Sequence, residues 1–271
     1  MTKTEFINKN KNEVFRKKLE LERTMTRDVK KYFANEKKRI ASNKDISTIR
    51  SILENHYKRI YKAFKKKDKK ETSQDKLVEL ANARAKLIDD TSQEDFMKSV
   101  TLAREELAKE GDNNPSSEIL LLVASRIYYN YGKNRSGTIA NTETQEIVEL
   151  LRNDLAIESI IELENAIANN DIAEVNRILN ESPSYTAELV KKKFGVEDVA
   201  VLFAILAMAE KTWQTMGDGK VRDKHKMANG QTVKLTEPFV VGGELLKYPG
   251  DMSLGASLGN IINCRCVCVY L

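Results

Sequence analysis

A chain of 271 residues with 41% hydrophobic side chains can bury a sizeable core in one large or two ordinary domains, which excludes a disordered tail. No apolar run approaches the roughly 20 residues that cross a bilayer, and the opening MTKTEFINKNKNEVF lacks the apolar centre of a signal peptide, so a cytoplasmic product is expected. The net charge of +5 conceals an asymmetry: residues 1–75 hold 23 basic and 11 acidic side chains, residues 76–210 hold 14 and 24, and residues 211–271 hold 8 and 5. A block as basic as the first seeks a polyanion or an acidic protein face, with an affinity that falls as salt rises.

The first 110 residues contain neither glycine nor proline, which is a helical signature. Val14, Leu21, Met25, Val29, Tyr32 and Phe33 recur at three- and four-residue steps and predict one amphipathic helix. Ile46, Ile49, Ile52, Leu53, Tyr57, Ile60, Tyr61 and Phe64 predict a second, with a polar link at 41–45 between them and Asp45 as its cap. His56 is expected at the surface of that helix or at the edge of the core. A third helical stretch, about 75–110, carries Leu77, Leu80, Leu87, Ile88, Phe96, Val100, Ala103 and Leu107, with a break near Asp90, Thr91 and Ser92. The run Gly111, Asp112, Asn113, Asn114, Pro115 combines a helix terminator with turn formers, and the main internal boundary is placed there.

Beyond that boundary Ser117 is the expected cap for a helix at 118–131, and further helices separated by loops are expected near 142–151, 158–168, 172–179 and 196–215. The composition then changes. Eight of the twelve glycines and two of the four prolines fall between Gly217 and Gly259, interleaved with β-favouring runs, so 231–235, 239–241 and 261–270 are the candidate strands. The fold class that follows is mainly α with a small C-terminal α+β portion.

All three cysteines, Cys264, Cys266 and Cys268, lie within five residues of one another, which leaves no disulfide framework. On an extended segment they project to one face, where His225 can join them as three or four soft ligands of the kind zinc prefers. The same thiols also suit the buried face of a strand with no metal at all. Around them stand Trp213 at the end of the last helix, Asp218, Arg222 and His225 in an Asp-x-x-x-Arg-x-x-His spacing, the turn Tyr248, Pro249, Gly250, Asp251, and the string Asn263, Cys264, Arg265, Cys266.

That ordered set resembles the Mu F-type minor head protein (head morphogenesis) family of tailed bacteriophages. An upstream element with Arg135, Ala140, Thr142, Glu143 and Thr144 is similar to the family's Thr-Glu helix, so the resemblance spans about 127–268. Two features depart from the family pattern: an acidic helical insertion at about 153–193, and the third cysteine, Cys268. The organisation expected is a basic helical N-terminal region, residues 1–115, followed by a Mu F-like domain, residues 116–271, carrying a short β-sheet.

The resemblance implies a virion component, incorporated in few copies into the procapsid near the portal, in the capsid interior or at the portal vertex, after synthesis in the host cytoplasm. Portal protein, scaffold or major capsid protein would be its partners, with nonspecific double-stranded DNA beside it and no membrane in the assembled state. Binding, not turnover, is the expected task. Arg222, His225, Glu143 and Asp251 are expected to form a buried polar network that fixes irregular loops. No Walker motif, Gly-x-Ser-x-Gly element or His-Glu-x-x-His is present, so no catalytic set is assigned and no cofactor is required. The alternative is a zinc-dependent or nucleic-acid-processing enzyme using His225 and Cys264, Cys266 and Cys268. Lys58, Arg59, Lys62, Lys65, Lys66, Lys67, Lys69 and Lys70, interleaved with Tyr57 and Tyr61, are the candidate DNA contacts.

Overall fold

The computed structural model describes residues 1–39, 47–64, 74–181 and 209–271. Among these residues five longer helices come first: α1 (Lys3–Arg39), α2 (Ser47–Phe64), α3 (Gln74–Lys109), α4 (Ser117–Ala168) and α5 (Ile172–Glu181). Short elements follow: β1 (Glu210–Thr215), α6 (Asp223–Ala228), β2 (Thr232–Lys234), β3 (Phe239–Val241), β4 (Glu244–Leu246), α7 (Leu258–Ile261) and β5 (Cys266–Tyr270). The architecture is mainly α with a small C-terminal antiparallel β part, as expected. No helix among the described residues is long and apolar enough to cross a membrane. Expectations that fall on the link at 41–45, on Lys65, Lys66, Lys67, Lys69 and Lys70, and on residues 182–208 lie outside the described residues.

These residues form two compact units, each gathered from separate stretches of chain. One draws on Met1–Leu19, Ala63–Lys67 and Thr142–Leu271, the other on Glu20–Lys62 and Asp68–Asn141. The second, helical unit follows the apolar periodicity. Met25, Val29, Tyr32 and Phe33 of α1 and Ile49, Leu53, Tyr57 and Ile60 of α2 are all buried, each contributing about 1.5–3 kcal/mol relative to exposure. His56 is not at the surface: it sits among these residues, fully buried, because it lies one position from Tyr57 and three from Leu53 on the inward stripe.

Helix α3 runs without the break expected near Asp90. The Thr91 and Ser92 hydroxyls bond back to the carbonyls of Leu87 and Ile88 at 2.5 and 2.6 Å, so these residues are satisfied inside the helix. The helix ends at Gly111 (φ +93), where the amides of Gly111 and Asp112 bond the carbonyls of Ala108 and Leu107 at 3.1 and 2.9 Å. The turn at 111–115 lies inside the second unit, joining α3 to α4, and does not separate the two units. Ser116, one residue before the expected Ser117, caps α4 by accepting the Ile119 amide at 3.3 Å.

The separate helices expected at 118–131, 142–151 and 158–168 are a single helix of 52 residues. Gly132 does not break it, since its role is to make room: a Cβ there would lie 2.7 Å from the Phe33 ring. Phe33 in turn meets Tyr128 edge-on at 6.1 Å, and Tyr128 meets Phe96 at 5.7 Å.

In the first unit β1, expected as the end of a helix, is the central strand of a sheet ordered β2-β1-β5 with both neighbours antiparallel. Trp213 pairs with Cys268 and Thr215 with Cys266. Five successive β1 residues are buried, and two of the polar ones are matched by side-chain bonds: Lys211 Nζ donates to the Lys247 carbonyl at 2.8 Å, and the Thr212 and Thr232 hydroxyls bond at 2.9 Å. Strands β3 and β4 form a hairpin through Gly242 and Gly243, whose φ values of +59 and +85° suit a turn of opposite hand to the common one. The expected strand 261–270 is shorter, because α7 and a turn occupy its start. Trp213, Ala228, Phe239, Val241, Leu246 and the three cysteines make one buried cluster, while Phe6 at the start of α1 packs on Val269 and Leu271.

Candidate functional site

The turn at 248–251 is built by its residue types. The Asp251 amide bonds the Tyr248 carbonyl at 3.1 Å, Pro249 presets the second position, and Gly250 takes φ +92° at the third. The Asp251 carboxylate, fully buried, accepts the amides of Lys247 and Ser253, each at 2.8 Å. A Cβ on Gly250 would lie 3.0 Å from Gln145 Cγ, so the turn lies directly against α4. Burial, with the Asp251 carboxylate adding to it, pushes the Tyr248 phenol well above its ordinary range.

Asp218 and Arg265 join the two ends of the motif. Arg265 Nε donates to Asp218 Oδ1 at 3.2 Å, its Nη2 bonds the other carboxylate oxygen, and the pair holds the Asp218 carboxyl below the usual range. Arg222 Nη2 donates to the Ile262 carbonyl. His225 points its Nδ1 at Cys266 Sγ, 3.3 Å away, and at Cys264 Sγ, 3.6 Å away. Its ring stands edge-on to Trp213 with centroids 5.6 Å apart, and its buried Nε2 has no hydrogen-bond partner among the described residues. Arg222, His225 and Asp251 therefore take three separate sets of partners and do not bond one another, and Glu143 is buried on α4.

The helix face that receives these loops uses other residues. Thr142 Oγ1 accepts the Asn263 amide at 3.3 Å, Gln145 Nε2 donates to the Pro249 carbonyl at 2.9 Å, and Glu149 Oε2 accepts the Cys268 amide at 3.0 Å. Steps of three and four residues put all three on one side of α4. Asn263 reaches Thr142 from a positive φ of +54°, which asparagine tolerates better than most residues. Lys18 Nζ, buried on α1, donates to Gln145 Oε1. Glu149, buried completely, also accepts Arg152 at 3.2 Å, and the Arg152 guanidinium lies over the Tyr270 ring at 5.2 Å. The Thr-Glu neighbourhood was visible in the sequence. The roles of Gln145 and Glu149 were not, although their spacing from Thr142 is helical.

Cys264, Cys266 and Cys268 share one buried cluster, yet only the first two meet His225. Burial raises the Cys266 thiol well above its ordinary value, with Cys264 beside it adding to the shift. Burial also pushes the Cys268 thiol up to about 12, reinforced by the Glu149 carboxylate. Arg135, from the upstream motif, belongs to the helical unit, where it pairs with Asp95 at 2.8 Å.

Of the basic candidates, Lys58, Arg59 and Lys62 are exposed on α2, and Arg59 pairs with Asp28 at 2.9 Å. Tyr57 and Tyr61 are core residues, not stacking platforms, because they lie on the apolar side of that helix. Comparison with protein-family models, with curated proteins and with solved structures finds no match to this chain.

Proposed function

We propose that this chain is a minor head (head morphogenesis) protein of a tailed phage, incorporated in few copies into the procapsid next to the portal. The observation that carries this reading is the convergence of the residues on which the Mu F-type resemblance rests. Asp218 meets Arg265, His225 meets Cys264 and Cys266, and the segments holding Pro249 and Asn263 both bond the Thr-Glu helix at Gln145 and Thr142. Residues that look like a motif in sequence thus act together as the joints of one small fold. Irregular loops held by such joints make a rigid platform for a partner surface, and a rigid platform binds at lower entropic cost than a mobile one.

The same reading gives the exposed cations on α2 a nonspecific contact with packaged DNA, read through the backbone charge and not through bases. The test is capture of tagged chain from infected lysate followed by mass spectrometry. Portal protein enriched over a tag-only control is the expected result. Absence of enrichment, together with absence of the chain from purified virions, would overturn the proposal.

A further inference from the structure

His225, Cys264 and Cys266 place one nitrogen and two sulfur atoms within 4.8 Å of one another, all three side chains being at most 1% exposed. We infer that these three are ligands of a structural zinc ion that pins α6 to the segment entering β5. The inference does not depend on a phage origin, since it uses only the geometry of these three residues.

The distances fit. Zinc bound tetrahedrally at about 2.3 Å from sulfur and about 2.0–2.1 Å from nitrogen sets the two atoms roughly 3.6 Å apart. The two His225–thiol separations are 3.3 and 3.6 Å, so both nitrogen–sulfur pairs already stand close to the spacing that zinc imposes. The charge fits as well. Two thiolates and a neutral imidazole around a divalent cation sum to zero, which a dry cluster of Trp213, Phe239, Val241 and Leu246 accepts. A monovalent soft cation such as Cu(I) would leave one uncompensated negative charge in the same place.

Burial assigns the role. The set supplies three of zinc's four tetrahedral positions and leaves the fourth to a water; with all three side chains closed off from solvent no substrate reaches that position, so the ion stabilises and does not catalyse. Cys268, whose amide is held by Glu149, stands outside the set, and this divides the three cysteines into two ligands and one packing residue. The ion also closes the chain over the 39 and 41 residues that separate His225 from its two cysteines. That closure is what a small, glycine-rich region built on one small core cluster needs.

The full chain, expressed with added zinc and purified reduced, should carry one zinc per molecule by elemental analysis. Cys264→Ser with Cys266→Ser should lose it, and Cys268→Ser should keep it. Adding cobalt to the reduced, metal-stripped wild type should give thiolate charge-transfer absorption of an intensity matching two sulfur ligands. The wild-type arm needs no variant to fold. Folded wild type that holds no zinc and shows no cobalt–thiolate band overturns the inference, as does zinc retained at full stoichiometry when both cysteines are gone.

Discussion

The helical unit and the C-terminal residues 209–271 reach a folded state by different routes. In the helices, apolar residues at three- and four-residue steps meet one another, and the hydroxyl bonds of Thr91 and Ser92 are local, spanning four residues. In the C-terminal part the decisive contacts join side chains to a carbonyl and two amides 104, 119 and 121 positions apart, from Gln145, Glu149 and Thr142. The first kind of region degrades gradually, since losing one side chain leaves a cavity that neighbours partly fill. The second kind fails at single atoms, because a buried donor or charge without its partner costs its whole desolvation.

The largest expected effect tests that contrast directly. Glu149→Ala strands the largely buried Arg152 charge and the Cys268 amide and is expected to cost about 3–5 kcal/mol. Leu53→Ala, a truncation in the helical core, is expected to cost about 2–5 kcal/mol. Glu149→Gln, which keeps an acceptor, should recover part of its loss, whereas no polar substitution at Leu53 should. Urea unfolding followed by Trp213, the only tryptophan, reports on the sheet, and far-UV circular dichroism reports on the helices. A cost below about 1 kcal/mol for Glu149→Ala would show that the polar joints do not specify this region.

The helical unit too has a point where it depends on a single polar group. Burial, with the Arg59 cation adding to it, lowers the His56 pKa to about 3, against an unfolded value near 6.5. Between those values the unfolded chain binds the extra proton, so stability is full above pH 6.5 and declines as pH falls toward 3. The loss is expected to approach roughly 5 kcal/mol. Urea midpoints across this range should slope for the wild type and flatten for His56→Leu; equal slopes in both would remove the assignment.

The smallest effect separates space from backbone conformation. Gly250→Ala combines a positive φ with the 3.0 Å approach to Gln145 and should cost roughly 1–3 kcal/mol. Gly217→Ala, at φ +76° with nothing within 4 Å of the added Cβ, should cost less. Matched thermal denaturation of the two variants measures the difference, which is the contribution of the contact with α4.

Legibility followed the same division. Periodicity located α1, α2, α3 and α5, because burial of a stripe is written in the order of side chains. It failed for α4, where the first expected helix stopped at 131, next to Gly132, whose reason, the Phe33 ring, is nearly a hundred residues distant. It failed again for β1, since Glu210, Lys211, Thr212 and Gln214 carry no apolar alternation, and Lys211 and Thr212 are buried with the Lys247 carbonyl and the Thr232 hydroxyl as their partners. Strand β4 did have a signal: two adjacent glycines, Gly242 and Gly243, after the Phe239 run mark a two-residue hairpin turn. At the site, the motif residues were visible as a set, but not their partners: of the four residues expected in one polar network, Arg222, His225 and Asp251 take separate sets of partners.

The spacing of Thr142, Gln145 and Glu149 makes α4 a ruler whose markings are angular. Each added or removed residue turns the rest of a helix by about 100°. A single deletion between Thr142 and Glu149 would therefore swing the later anchors away from the amides and carbonyl they serve, while every side chain stayed chemically intact. Such a stretch can drift in composition across generations far more readily than it can drift in length.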